Sequence, residues 1–176
     1  MYPTAYIDYL IHFHIERDYF ECHEVLEEHW KKEELNQRHH YWVTFIQIAV
    51  GLYHHRRNNR AGATRMYYKA LKGISLYATA IENLGVNVSE LSQQLNKQIK
   101  LTLTPGSKFE DINLPLHDHN LIKECQNRCK QLGLNWAYIS SSTVSQNIIH
   151  KHKLRNRQEV IAERDKQLHL RKQKRQ

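Results

Sequence analysis

"HHYWVTFIQIAVGLYHHRR", residues 39–57, decides the fold. At about 100° per residue, Trp42, Phe45, Ile46, Ala49, Leu52 and Tyr53 line one side of a helix, and Val43, Gln47, Val50 and His54 line another. A helix that is apolar on two sides is buried between neighbours, so this segment predicts the centre of a bundle. Six Gly and three Pro in 176 residues leave few breakers. No β alternation and no repeat at solenoid spacing compete with that reading. The expected fold is all-α, a compact helical bundle with a helical, basic C-terminal extension.

Working upstream, Tyr6, Tyr9, Leu10 and Phe13 mark a first helix from Thr4 to Arg17. Asp18 and Glu21 form a capping box, in which each side chain accepts from the other residue's amide. A second helix therefore starts at Tyr19 and runs to Glu34. Downstream, Asn58 or Asn59 caps a long helix from Ala61 to Leu84, with Gly62 permitting close approach to another backbone and Gly85 as a left-handed stop. Asn87 with Glu90 opens the next helix. "TPGSKFEDINLP", residues 104–115, is the one long breaker-rich stretch. Asp118 then caps a helix that carries Leu121, Cys125 and Cys129 and ends at Gly133. The division expected is a helical core domain at 1–104, a breaker-rich segment plus short helix at 105–143, and a basic helical tail at 144–176.

The second helix, "DYFECHEVLEEHW" over residues 18–30, puts polar groups beside its apolar stripe. With His23 at zero on the helical wheel, Trp30, Tyr19 and Leu26 fall on one side of it and Glu27 and Phe20 on the other, with Glu24 at the edge. His23 and Glu27 are one turn apart and can meet. The central helix offers Gln47 and His54 as polar neighbours. Three chemistries fit. In the first, the cluster is a satisfied polar network that sets helix register. In the second, His23, Glu27 and His54 supply two imidazoles and one carboxylate to Zn²⁺, Fe²⁺ or Mn²⁺, with Glu24 as a base for a hydrolytic reaction. In the third, Tyr19, Trp30 and Tyr53 edge a pocket for an organic ligand or peptide. Cys125 and Cys129, one turn apart, read as core thiols, or with His117 and His119 as a zinc set.

The same two stretches carry a family resemblance. His23, Glu24, Glu27 and Trp30, then Gln47, Ala49 and His54, then Asn59, Gly62 and Ala63 follow the pattern of the bacterial and archaeal domain-of-unknown-function family 309. That family has a His-Glu-x-x-Glu-x-x-Trp helix, a Gln-x-Ala helix with a histidine, and an Asn-x-x-Gly-Ala turn. The resemblance spans Tyr6 to Leu84 and implies a compact all-helical cytoplasmic domain, without implying an activity.

Charge divides the chain. From His150 onward ten Lys and Arg face three acids, whereas the first forty residues are acidic. Lys151, Lys153, Arg155, Arg157, Arg171 and Lys172 are the tail's candidates for phosphate contacts with nucleic acid. The competing expectation is a tail docked on the acidic N-terminal region or simply solvated. No apolar run spans a bilayer and the N-terminus lacks a signal-peptide pattern, so no membrane association is expected. Three cysteines are no disulfide framework, which points to the cytoplasm. The chain lacks a Gly-rich phosphate loop, a Gly-x-Ser-x-Gly elbow and a Cys/His nucleophile pattern. The expected function is a non-enzymatic binding or scaffold protein, with a protein partner or self-association and no cofactor. The alternatives are a metal-dependent hydrolytic enzyme using His23, Glu24, Glu27, His54 and a divalent metal, or nucleic-acid binding through the tail. The polar pocket comprises His23, Glu24, Glu27, Trp30, Gln47, His54 and Asn59.

Overall fold

The central segment forms a helix, Tyr41–Arg56, in a computed structural model of the protein, which describes residues 1–154. The other helices are α1 (Thr4–Ile11), α2 (Tyr19–Lys32), α4 (Arg60–Leu76), α5 (Ala78–Asn83), α6 (Val88–Leu103), α7 (His119–Gln131), α8 (Gln146–Ile149) and α9 (Lys151–Leu154), with Tyr41–Arg56 as α3. The described residues hold no strand; Val86 and Leu116 make an isolated bridge. None of the described helices is long and apolar enough to cross a membrane.

Helix α3 packs between α2 and α4. Trp42, Phe45, Ala49 and Leu52 are buried, and α1 covers them with aromatic rings: Tyr6 lies 5.6 Å from Trp42 and 5.5 Å from Phe45. The second buried face differs from the expected one. It is Thr44, Ile48, Gly51 and His55, whereas Val43, Gln47, Val50 and His54 are half-buried at the margin. The reason is close approach. A Cβ on Gly51 would lie 2.6 Å from the Tyr67 ring, and one on Gly73 would lie 2.2 Å from Thr44 Oγ1. This line wins over the more apolar one because Gly51 leaves room for the Tyr67 ring and Gly73 leaves room for Thr44, so α3 and α4 pack closely.

The N-terminal helix is not continuous to Arg17. After Ile11 the backbone widens into a π-helix, His12–Glu16, and Arg17 turns left-handed with φ 53°. The Asp18 amide then donates to the His12 carbonyl at 3.0 Å. This amide is the one the capping box assigned to Glu21. Half of the box forms, with the Glu21 amide donating to Asp18 Oδ1 at 3.0 Å. The Glu21 carboxylate instead accepts from Lys151. Helix α2 ends at Lys32, slightly short of expectation.

Asn59, Asn87 and Asp118 cap α4, α6 and α7 as expected, and Gly85 and Gly133 adopt the left-handed conformation. The long helix expected up to Leu84 is split at Tyr77 into α4 and α5. The bend lets the Leu84 carbonyl accept from the buried Tyr6 hydroxyl at 3.1 Å. At Gly62 the missing Cβ makes room for the Asn59 capping side chain. Within the breaker-rich stretch the chain already returns to the same core through Ile112 and Leu114, and Leu121, Cys125 and Cys129 of α7 are buried with them among the side chains of α1–α4.

Lys151 Nζ donates to Asp18 Oδ2 at 2.6 Å and to Glu21 Oε2 at 2.7 Å, so the start of the basic extension meets acids of α2 and its cap. Arg155, Arg157, Arg171 and Lys172 lie outside the described residues, as do the Lys153 side chain and the exposed helix expected after Asn156.

Candidate functional site

The buried line of α2 runs through Tyr19, Cys22 and Leu26. The Cys22 thiol donates to the Tyr9 carbonyl at 3.6 Å, and this small side chain lets α2 settle against α1. The helix is thereby rotated from the orientation centred on His23. His23, Glu24 and Glu27 end on its shoulder, with side chains 28%, 28% and 34% exposed.

On that shoulder both ring nitrogens of His23 are engaged. Nδ1 lies 3.0 Å from Glu24 Oε1 and Nε2 lies 3.1 Å from Glu27 Oε2. Lys31 Nζ closes on the other Glu27 oxygen at 3.0 Å. Partial burial depresses the His23 pKa, but the hydrogen bond and charge of Glu27, with the charge of Glu24, outweigh it and raise the pKa. The His23 hydrogen bond takes Glu27 down to about 2, with Lys31 assisting. The Phe20 ring meets His23 edge-on at 6.1 Å and reaches Tyr53 of α3 at 5.8 Å, joining the cluster to the central helix.

Among the described residues, a donor set fit for a metal comprises His23, Glu24 and Glu27, whose ligand atoms lie within 4.8 Å of one another. His54 is not in it. Because Tyr53 faces Phe20, the next residue on the helix turns about 100° away, and His54 Nδ1 meets Asn59 Nδ2 at 3.1 Å. Burial and the cations Arg57 and Arg65 lower the His54 pKa. Asn59 also accepts from the Gly62 amide at 3.1 Å, so it serves the helix start. Gln47 lines a separate shallow cleft of about 210 Å³ with His40, Thr44, Lys69 and Lys72. Trp30 lies under the Arg38 guanidinium at 4.8 Å and against His40 at 5.9 Å. The seven residues expected in one pocket therefore occupy distinct places: the α2 trio, the Trp30–Arg38 stack, the His54–Asn59 pair and the Gln47 cleft.

A second polar centre lies among residues that sequence patterning does not single out. Arg17 is 2% exposed, and its guanidinium donates to the carbonyls of Phe13 at 3.1 Å, Ile112 at 2.9 Å and Ile139 at 2.7 Å, and to Asn113 Oδ1 at 2.6 Å. The Arg56 guanidinium covers the Tyr19 ring at 4.7 Å and donates to the Arg17 carbonyl at 2.7 Å. The Tyr19 hydroxyl donates to Asp111 Oδ1 at 2.9 Å, and burial with the Asp111 charge raises its pKa. In the sequence Arg17 and Arg56 stand at helix ends, where a cation reads as solvated. Nearby, His14 is fully buried against Trp136 and Tyr138. Desolvation and the Arg17 charge outweigh a hydrogen bond with Asn113 and bring its pKa down to about 3, so the ring is neutral.

The cysteines are all free and buried. Burial pushes Cys125 up to about 12, and His117 pairs with Glu82 rather than with a thiol.

Three comparisons bear on these residues. A family model described as "Domain of unknown function (DUF309)" matches residues 6–66, a stretch that contains the α2 trio, Trp30, Gln47, His54, Asn59, Arg17 and Arg56. The "Uncharacterized protein YpuF" of Bacillus subtilis (strain 168) is 44% identical over 179 residues, covering 99% of this chain and 99% of that protein. No solved structure matches the chain.

Proposed function

We propose, from the premise that this chain belongs to the DUF309 domain-of-unknown-function family, that it is a non-enzymatic cytoplasmic binding protein. Its His23–Glu24–Glu27 cluster is a fixed charged contact patch for a protein partner or a second copy. The observation that carries this reading is the engagement of both His23 nitrogens by carboxylates. Two carboxylates beside one imidazole favour its protonated form, and in that form the ring has no lone pair to take a proton or to ligate a metal. Three buried free thiols accord with a reducing compartment.

A second reading rests on the proximity of the three donors. His23 and Glu27, one turn apart, and Glu24 beside them would hold a divalent cation if it displaced the imidazole proton. A ¹³C-histidine NMR titration of tag-free protein, with and without equimolar Zn²⁺ or Mn²⁺, separates the two. The contact-patch reading expects His23 to titrate above the usual 6.5 and to be unmoved by metal. Stoichiometric metal that shifts the His23 resonance and is lost in His23→Ala transfers the cluster to the metal reading. Analytical ultracentrifugation of Glu24→Ala/Glu27→Ala against the natural chain tests the self-association arm; a patch for a second copy loses its concentration-dependent mass.

A further inference from the structure

Between Glu34 and Glu82 the chain contains no Asp or Glu, while it carries seven Lys and Arg. This acid-free run takes in the segment before α3, then α3, α4 and their connection, and the start of α5, so the bundle's own charge is segregated apart from the tail. Four of the seven cations have structural duties. Arg38 stacks on Trp30, Arg56 covers Tyr19, and Arg57 covers Tyr53. Arg60 donates to carbonyls at the end of α6, Thr104 at 2.6 Å among them. Arg65, Lys69 and Lys72 remain, all exposed, with no ion-pair partner among the described residues.

Their spacing is that of one helix face. Arg65, Lys69 and Lys72 are at i, i+4 and i+7, about 10 Å from first to last along the axis. Tyr68 stands beside them with 56% of its surface exposed, a large aromatic ring with no core to fill. Lys69 and Lys72 also rim the cleft against α3, where His40 and Gln47 add donors and the described lining holds no carboxylate. Cations on a single track with a free ring among them match a phosphodiester chain whose bases are unpaired, because each phosphate takes one cation and a base takes the ring. A duplex would use the cations but leave Tyr68 idle, its bases being stacked already. A membrane surface would want more apolar contact than Leu76 alone supplies.

We propose that the α4 face formed by Arg65, Tyr68, Lys69 and Lys72, with the adjoining α3 cleft, binds a single-stranded polynucleotide. This surface is distinct from the α2 cluster and from the tail, and it stands whether or not the α2 contact-patch reading holds.

The test is fluorescence anisotropy with the full chain, using a labelled mixed-sequence RNA of about 16 nucleotides, the DNA strand of the same sequence and the DNA duplex. Measurements at about 50 mM and about 200 mM salt give the salt slope. Replacing Arg65, Lys69 and Lys72 together by Ala is expected to weaken single-strand binding about tenfold or more at low salt and to flatten the logarithmic salt slope by about 2. Tyr68→Ala is expected to cost at least about fivefold on single strands, with the slope and duplex binding unchanged. Preference for RNA or for DNA among single strands names the source and supports the proposal either way. All four positions are exposed, and circular dichroism checks that each variant keeps its helices. No binding by the natural chain overturns the proposal. So does wild-type binding by the triple variant, which assigns the affinity to the tail, or a silent Tyr68→Ala with duplex bound as tightly as single strands, which leaves a general polyanion surface.

Discussion

Arg17 donates through Nη1 to the carbonyl of Ile112 at 2.9 Å, joining residues 95 apart in the chain. The contact links the π-helical end of α1 to the extended segment that follows α6. Through its remaining donors the same guanidinium holds Phe13, Asn113 and Ile139. One side chain thus satisfies backbone groups from three parts of the chain that form no sheet.

Arg17→Ala is expected to destabilise the protein by about 3–5 kcal/mol, because buried carbonyls lose their donor together. Arg17→Lys keeps the charge but not the fork of donors, and should recover less than half of the loss. Urea unfolding followed by circular dichroism measures both. A loss below about 1 kcal/mol in Arg17→Ala contradicts this assignment.

The α2 cluster has a pH signature. The raised pKa of His23 means that its contribution to stability is present below the usual 6.5 and disappears as pH rises through the folded value. Glu27 has the opposite sign: its contribution is present above the usual carboxylate range and lost as pH falls toward about 2. Glu27→Gln removes the main raising influence on His23 and should drop the His23 pKa, whereas Glu24→Gln should lower it less. Histidine-resolved NMR titration reads these shifts directly, and an unmoved His23 in Glu27→Gln rules out the coupling.

His14 predicts acid sensitivity. Its folded pKa of about 3 lies below the unfolded value, so its burial adds no pH-dependent cost above pH 6.5 and destabilises progressively as pH falls from there toward 3. The full effect is roughly 5 kcal/mol. His14→Phe keeps a ring between Trp136 and Tyr138 without a titrating group. Its urea midpoint should fall less steeply with acid than that of the natural chain. His54 and His55, also lowered by burial, leave some slope in the variant. A His14 resonance titrating near 6.5 defeats the prediction.

Gly73→Ala tests the contact between α3 and α4. In an exposed helix this change would stabilise by up to about 1 kcal/mol. Here the added methyl meets Thr44 Oγ1 at 2.2 Å and Thr44 Cβ at 3.1 Å. The expected result is destabilisation of about 1–3 kcal/mol. Combining it with Thr44→Ala removes the closest clash, so the double variant should be more stable than the sum of the two single effects. Thermal unfolding of the four proteins in the cycle measures that coupling, and strict additivity would show that the helices do not touch there.

Much of the fold was legible along the chain because caps and stops are local. Asp18, Asn59, Asn87 and Asp118 each bond an amide two or three residues away, and Gly85 and Gly133 need only their own left-handed backbone. The site was legible in part. His23 and Glu27 meet because one helical turn brings them together. Their exposure was not legible, since it depends on how far α2 rotates about its axis, and Cys22 beneath the Tyr9 carbonyl sets that rotation. The acid-free run from residue 35 to 81 was visible in the sequence but hidden in the averaged charge of the body. Its meaning depends on which cations the fold occupies.

By itself the sequence determined that this chain is helical, where most helices begin and end, and that His23 and Glu27 pair. Each of these is fixed within a few residues by backbone geometry. Tertiary structure decided which line of α3 faces α4, where the helix to Leu84 bends, and that Arg17 and Arg56 are buried. It also separated His54 from the α2 trio. Those outcomes depend on how closely two surfaces can approach, as at Gly51 and Gly73, and on donors and acceptors tens of residues apart, neither of which local periodicity encodes.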